Sequence, residues 1–163
     1  EPFRVATVSI PAGVYAFPEA TASFSLGNQH RISGTVSVGY GEFYSGHRTT
    51  AGFSGGRVEL SPRFSIEPGT SINWVNLAEG EFTTVTMSTR ATFTVTPLMF
   101  FGGLVQFNSS NRALSSNLRL RWEYQPGSEL FVVYTDERDT TLRGYPDLKN
   151  RAFVVKINRL VRF

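Results

Sequence analysis

Ser45 and His47 stand two residues apart, and with a carboxylate such as Asp136 they would supply the residue types of a hydrolytic triad. Such a triad is defined by geometry, and a Ser-x-His pair in a loop is a common coincidence, so no catalysis is expected. Asp136, Glu137, Asp139 and Asp147 offer the oxygen ligands that a hard cation needs. Arg138, Arg143 and Lys149 interleave with them without EF-hand spacing, which reads as a solvated loop. His30 and His47 are isolated from each other and cysteine is absent, so neither a zinc site nor thiol chemistry is expected. No metal and no cofactor enter the reading.

The remaining chemistry is basic. Lys and Arg together number 16 against 13 Asp and Glu, and Lys149 and Lys156 are the only lysines. The arginines are dispersed, so no block forms a nucleic-acid arm. Arg57, Glu59, Arg63, Arg90, Arg119, Arg121, Glu123, Lys156 and Arg162 instead recur on the polar side of alternating segments. Such a track can attract anions or hydrogen-bond sugars. Its plainer role is to fill an interior with Arg–Glu pairs.

The elements that must position this track are strands. Val85, Met87, Ala91, Phe93 and Val95 alternate with Thr84, Thr86, Ser88, Arg90, Thr92 and Thr94, one strand facing two different surroundings. Ile32, Val36, Val38 and Tyr40 alternate with Arg31, Ser33, Thr35 and Ser37. Val58, Leu60, Pro62, Phe64 and Ile66 alternate with Arg57, Glu59, Ser61, Arg63 and Ser65. Leu114, Leu118, Leu120, Trp122 and Tyr124 alternate with Ser115, Asn117, Arg119, Arg121 and Glu123. Weaker alternations cover 20–26, 72–77, 99–107 and 130–135, and a last strand is expected over 153–163. That makes about nine strands of roughly 8 to 14 residues, comparable with the ~9–11 that a tilted strand needs to cross a bilayer.

Short turns are expected at Gly27-Asn28-Gln29, Glu67-Pro68-Gly69, Thr96-Pro97-Leu98 and Gln125-Pro126-Gly127. Longer connections are expected within 41–56, 76–82, 108–112 and 136–150. This inequality matches the short periplasmic turns and long external loops of outer-membrane barrels. Tyr15, Phe17, Phe43, Phe82 and Phe100, and above all Tyr40, Tyr44, Trp74, Phe101, Trp122 and Tyr124, fall near strand ends, where a girdle of interfacial rings belongs. No run approaches the ~18 apolar residues of a membrane helix, a test to which strands are blind. With 163 residues, 40% hydrophobic and 13% aromatic, the chain is globular in composition. It is treated as one barrel domain, 1–163, with a lead-in segment at 1–13.

Phe153, Val155, Ile157, Val161 and Phe163 supply alternate apolar positions and a terminal phenylalanine, with Lys156 at a polar position. This resembles the C-terminal signal by which the barrel assembly machinery recognises outer-membrane proteins. The runs Leu104 to Asn108, Ser116 to Trp122 and Tyr124 to Tyr134, with Ile10 to Phe17 and Gly80 to Thr84, are similar to the C-terminal barrel of an uncharacterised bacterial family. In that family the barrel follows a domain resembling family-9 carbohydrate-binding modules. The resemblance implies an outer-membrane location in a Gram-negative bacterium, with the chain as the C-terminal part of a larger barrel or a shortened relative, and it favours sugars among the solutes.

The expected fold is all-β, an antiparallel up-and-down transmembrane barrel of about nine to ten strands. The expected function is solute passage or docking without catalysis, with lipid, lipopolysaccharide and the assembly machinery as partners and no nucleic acid. A structural or interaction subunit of an envelope complex and a soluble β-sandwich are the competing expectations.

Overall fold

The computed structural model describes residues 3–5, 8–10, 12–27, 30–142 and 144–161, and no helix occurs among them. Two short strands, β1 (Phe3–Val5) and β2 (Val8–Ile10), pair as a hairpin inside the expected lead-in segment. Nine strands follow: β3 (Glu19–Leu26), β4 (Ile32–Phe43), β5 (Gly46–Ser61), β6 (Phe64–Leu77), β7 (Gly80–Thr96), β8 (Met99–Asn108), β9 (Ala113–Gln125), β10 (Ser128–Asp139) and β11 (Asp147–Asn158). They form one antiparallel sheet in strict chain order, with β3 and β11 as its edges. The up-and-down topology and the number of strands follow the sequence expectation. The sheet is open rather than closed on itself, because β3 and β11 do not pair with each other.

Register converts the period-two pattern into two faces. Thr35, Ser37, Ser54 and Gly52 on β4 and β5 share a face with Ser71 of β6, Thr86 of β7 and Asn108 of β8. The same face continues through Gln106, Ser115 and Glu137 to Asn150 of β11. The opposite face carries Val36, Val38 and Tyr40, then Ile66, Ile72 and Trp74, then Met87 and Phe93, and ends on Phe153, Val155 and Ile157. Most of these apolar side chains are exposed. Buried apolar side chains among the described residues are confined to Val8, Ile10, Val75 and Leu77.

Several turns differ from expectation. Glu67-Pro68-Gly69 lies inside β6, and the chain turns at Pro62 and Arg63 instead. The reason is a bulge: between Phe53 and Val58, β5 spends one residue more than β6 spends between Thr70 and Ile66. Pro68 sits opposite this break, where its missing N–H costs the β5 ladder no regular bond, while its other side pairs with Thr89. Gly55 turns the bulge at φ 60, and a side chain on Gly56 would collide with the carbonyl of Pro68 and the ring of Phe53.

The long connections expected in the first half are also tight. Residues 41–56 are the end of β4, a turn at Tyr44 and Ser45, and most of β5, and 76–82 contains a turn at Ala78 and Glu79. Of the connections expected to be long, 109–112 and 140–146 exceed the two-residue turns at 62–63, 97–98 and 126–127. Of the turn at Gly27-Asn28-Gln29, Gly27 alone is described. The last strand ends at Asn158 rather than at Phe163: Leu160 donates its N–H to Ser128 Oγ at 3.0 Å and packs over the turn at Gly127. Val161 therefore lies beyond the strand, and Arg162 and Phe163 fall outside the described residues.

Candidate functional site

The polar face carries an ordered set of charges rather than scattered ones. Arg48 meets Glu19 at 3.0 Å near one edge, and Arg121 meets Glu129 toward the other. Between them, Arg57 donates from Nε to Glu59 at 3.1 Å and lies 4.0 Å from Glu67, which is 3.9 Å from Arg90. The bulge brings Arg57 into this group, because the extra residue restores its alternation opposite Ser33.

Neutral groups tie the strands across the same face. Thr50 donates to Asn73 at 2.9 Å, whose amide donates to Thr84 at 3.2 Å, and Asn117 donates to Thr135 at 2.8 Å. Arg119 is held by Asn117 at 2.6 Å, and Glu123 accepts the N–H of Gly127 at 3.0 Å. Lys156 stands opposite Phe131, in line with Arg121. Arg63 belongs to the β5–β6 turn and lies at the end of the track. The sequence-predicted polar set is thus gathered on or beside one face, apart from Arg162, which is not described.

Above the bulge the face hollows into a cavity of about 780 Å³. Gly52 and Gly69 leave its floor at backbone height, and Ser71, Ser88 and Gln106 with Arg57, Glu67 and Arg90 line it. Glu67 and Gln106 were not singled out from sequence. The Gly55-Gly56 pair within an alternating segment was the available signal, because glycines inside a strand mark bulges and close backbone approach.

The hairpin β1–β2 covers the polar face at the end bearing the tight β4–β5 and β6–β7 turns. Val8 and Ile10 pack on Val75 and Leu77, with Tyr15, Phe43, Tyr44 and Phe82 around them. Tyr44, at φ 52, meets Tyr15 and Phe17 edge-on at 5.2 Å each. These rings form a cap on the polar side rather than a girdle on the apolar one. Phe100 also faces the polar side, opposite Arg121. Tyr40, Trp74, Phe101 and Trp122 are exposed on the apolar face, with Tyr124 beside Trp122 at 6.1 Å between ring centroids. Tyr40 and Trp74 lie toward one end of the strands, and Phe101, Trp122 and Tyr124 toward the other.

One charged cluster interrupts the apolar face. Asp136 is only 5% exposed and accepts from Tyr134 at 3.1 Å, from Arg138 at 2.6 Å and from Arg151 at 3.0 Å. Arg138 also donates to the Pro146 carbonyl at 3.2 Å and lies 4.8 Å over the Tyr145 ring. Asp136 therefore belongs to a strand, not to a solvated acidic loop. Asp139 accepts the Thr141 N–H at 2.8 Å, and no group of three or more potential metal ligands forms among the described residues.

Ser45, His47 and Asp136 do not assemble into a triad. Ser45 is bonded to Glu79 and accepts the Ala78 N–H at 3.3 Å, while His47 lies against Tyr40. Asp136 is five strand spacings away, roughly 24 Å across the sheet. What the arrangement offers chemically is a sheet with one apolar and one polar face, and a guanidinium-lined hollow on the polar one. Comparison with protein-family models, with curated proteins and with solved structures returned no match for the chain.

Proposed function

We propose that this chain forms part or all of an outer-membrane β-barrel of a Gram-negative bacterium that passes or docks solutes without catalysing a reaction. The observation that carries this reading is the apolar face. Phe24, Val36, Val38, Trp74, Met87, Phe153 and Ile157 are all at least 45% exposed on it. Between Ile32 and Tyr40, between Phe64 and Trp74, and between Thr83 and Val95, no charged residue occupies that face. Water makes so large an apolar surface unfavourable, and a hydrocarbon solvent removes the penalty.

Dimensions support the same reading. The ten steps from Phe64 to Trp74 rise ~33 Å along the strand, and a tilt of ~40° brings this to ~25 Å, the height of the apolar band on such barrels. A soluble sandwich needs a second layer over the apolar face, and the described residues supply none. The resemblance of the sequence over 153–163 to the assembly signal, and of the chain to the barrel that follows a sugar-binding domain, favours the same location, with sugars among the candidate solutes. The Arg–Glu series on the polar face would then line the interior.

The test is insertion: the chain refolded with lipid vesicles should float with them, resist alkaline extraction and migrate differently on a gel before and after boiling. Recovery in the aqueous fraction with a native strand spectrum would overturn the membrane reading. A second reading, a subunit of an envelope complex, is favoured by the two open edges β3 and β11, whose unpaired backbone groups need partners away from water. Crosslinking in whole cells through cysteines placed on β3 separates the two.

A further inference from the structure

We propose that the cavity over the β5 bulge binds a small carboxylate bearing several hydroxyl groups, a sugar acid being the representative type. The proposal deepens the solute-passage reading and rests on it for the cavity's role in the cell. Three features of the site carry it.

The first is shape. Gly52 and Gly69 present no side chain on the polar face, so the floor is backbone, and the neighbouring Ser71 and Ser88 are short. A volume of about 780 Å³ lies inside the ~300–1,000 Å³ range of small-molecule sites. The bulge itself is a device that re-aims side chains beside functional sites, and here it re-aims Arg57.

The second is charge. Arg31, Arg57 and Arg90 border the cavity with Glu59 and Glu67, three cations to two carboxylates. Glu67 is shared between Arg57 and Arg90 at 4.0 and 3.9 Å, both too long for a hydrogen bond. Arg90 is 60% exposed at its side chain. Its fork therefore keeps donors for an incoming carboxylate, which a guanidinium takes through two parallel bonds. A cationic solute would meet Glu67 already flanked by Arg57 and Arg90, and Glu59 already bonded to Arg57.

The third is the neutral lining. Ser71, Ser88 and Gln106 both donate and accept, which matches hydroxyl groups and suits a purely apolar acid poorly. Phe53 stands opposite Val36 and Thr70, so its ring lies on the apolar face against Gly34 and Gly56 and offers no stacking surface to a neutral ring in the cavity. Charge and hydroxyls together, rather than stacking, would carry recognition.

Titration calorimetry on the full refolded chain, with D-glucuronate as the probe and D-glucose as the neutral control, tests this. Saturable glucuronate binding is expected, with glucose at least about tenfold weaker. The double variant Arg57→Gln/Arg90→Gln should lose about tenfold or more in affinity, as expected for removing charge-assisted hydrogen bonds. Absence of saturable glucuronate binding, equal binding of glucose, or unchanged affinity in a double variant with a native strand spectrum would overturn the proposal. Should the double variant fail to fold, Arg90→Lys decides: it keeps the charge and loses the fork, so weaker binding supports the site and unchanged affinity overturns it. Vesicle flotation on the same preparation keeps the two readings apart. A chain that floats but does not bind loses the site alone, and one that binds without floating keeps the site and loses the membrane reading.

Discussion

Arg151 donates through Nε and Nη2 to a single oxygen, Oδ2 of Asp136, at 3.1 and 3.0 Å, across the β10–β11 pair that sets the two residues opposite each other. The other oxygen takes Arg138 Nε at 2.6 Å. One nearly buried carboxylate thus holds two guanidiniums on an otherwise apolar face, and it ties the edge strand β11 to the sheet. Asp136→Ala leaves both cations without their anion, so the unfolding temperature of the refolded chain should fall by several degrees. Arg151→Gln should cost less, because Arg138 and Tyr134 still satisfy the carboxylate. Equal unfolding temperatures for wild type and Asp136→Ala, read by heat-modified gel migration, would show that the cluster does not hold the edge.

Met87 lies midway along β7 on the apolar face, and Ser115 of β9 lies on the polar face. In vesicles, Met87→Arg should destabilise the folded chain by about 2–4 kcal/mol, the cost of a cation near the bilayer midplane. Ser115→Arg should cost about 1 kcal/mol or less, because a half-buried position on the polar face keeps the guanidinium beside Gln106 and Glu137. Urea titration of both variants checks the difference, and equal costs would mean that the two faces meet the same solvent.

Trp74 and Trp122 are the only tryptophans, both about 40–45% exposed on the apolar face and toward opposite strand ends. Rings at headgroup depth should be quenched more strongly by lipids brominated near the glycerol than by lipids brominated at the chain end. Fluorescence of the variants Trp74→Phe and Trp122→Phe reports each ring by itself. Stronger quenching from the chain end would place that ring in the hydrocarbon centre and remove it from the girdle.

Gly55 adopts φ 60, whereas Gly56 is held between Pro68 and Phe53. Gly55→Val should cost about 1–2 kcal/mol for placing a branched residue in the left-handed region. Gly56→Val should cost more, because backbone rather than a flexible side chain must move. Urea midpoints rank the two, and the reverse order would argue against the bulge geometry.

Ile10 is fully buried, and with Val8 it fastens the hairpin to Val75 and Leu77. Ile10→Asp should release the hairpin and accelerate proteolysis within residues 12–18 while the strand spectrum of the sheet stays native. Unchanged cleavage would mean that residues 12–18 are held by contacts other than this cap.

Much of the sheet was legible from local pattern. Alternation between Thr84 and Thr96, or between Leu114 and Tyr124, is a property of consecutive residues, and the faces it assigned are the faces that register produces. The polar track was legible for the same reason, since Arg57, Arg90, Arg119 and Arg121 each occupy the polar phase of their own strand. Tyr44 was not legible, because its proximity to a strand end says nothing about which side of the sheet the β4–β5 turn leans toward.

What the residues alone determined, then, is the strand-rich meander and the chemistry of its two sides, because a period of two is set by the backbone of each strand independently of its neighbours. Pairing decided the rest. The Pro-Gly pair at 68–69 reads as a turn by itself, yet it lies within β6 because the bulge in β5 asks no regular ladder bond of Pro68, and that bulge exists only where β4, β5 and β6 meet. Asp136 and Arg151 lie fifteen residues apart along the chain and become partners only through the β10–β11 register. The cavity, the aromatic cap and this ion cluster are non-local contacts, and no local period carries information about them.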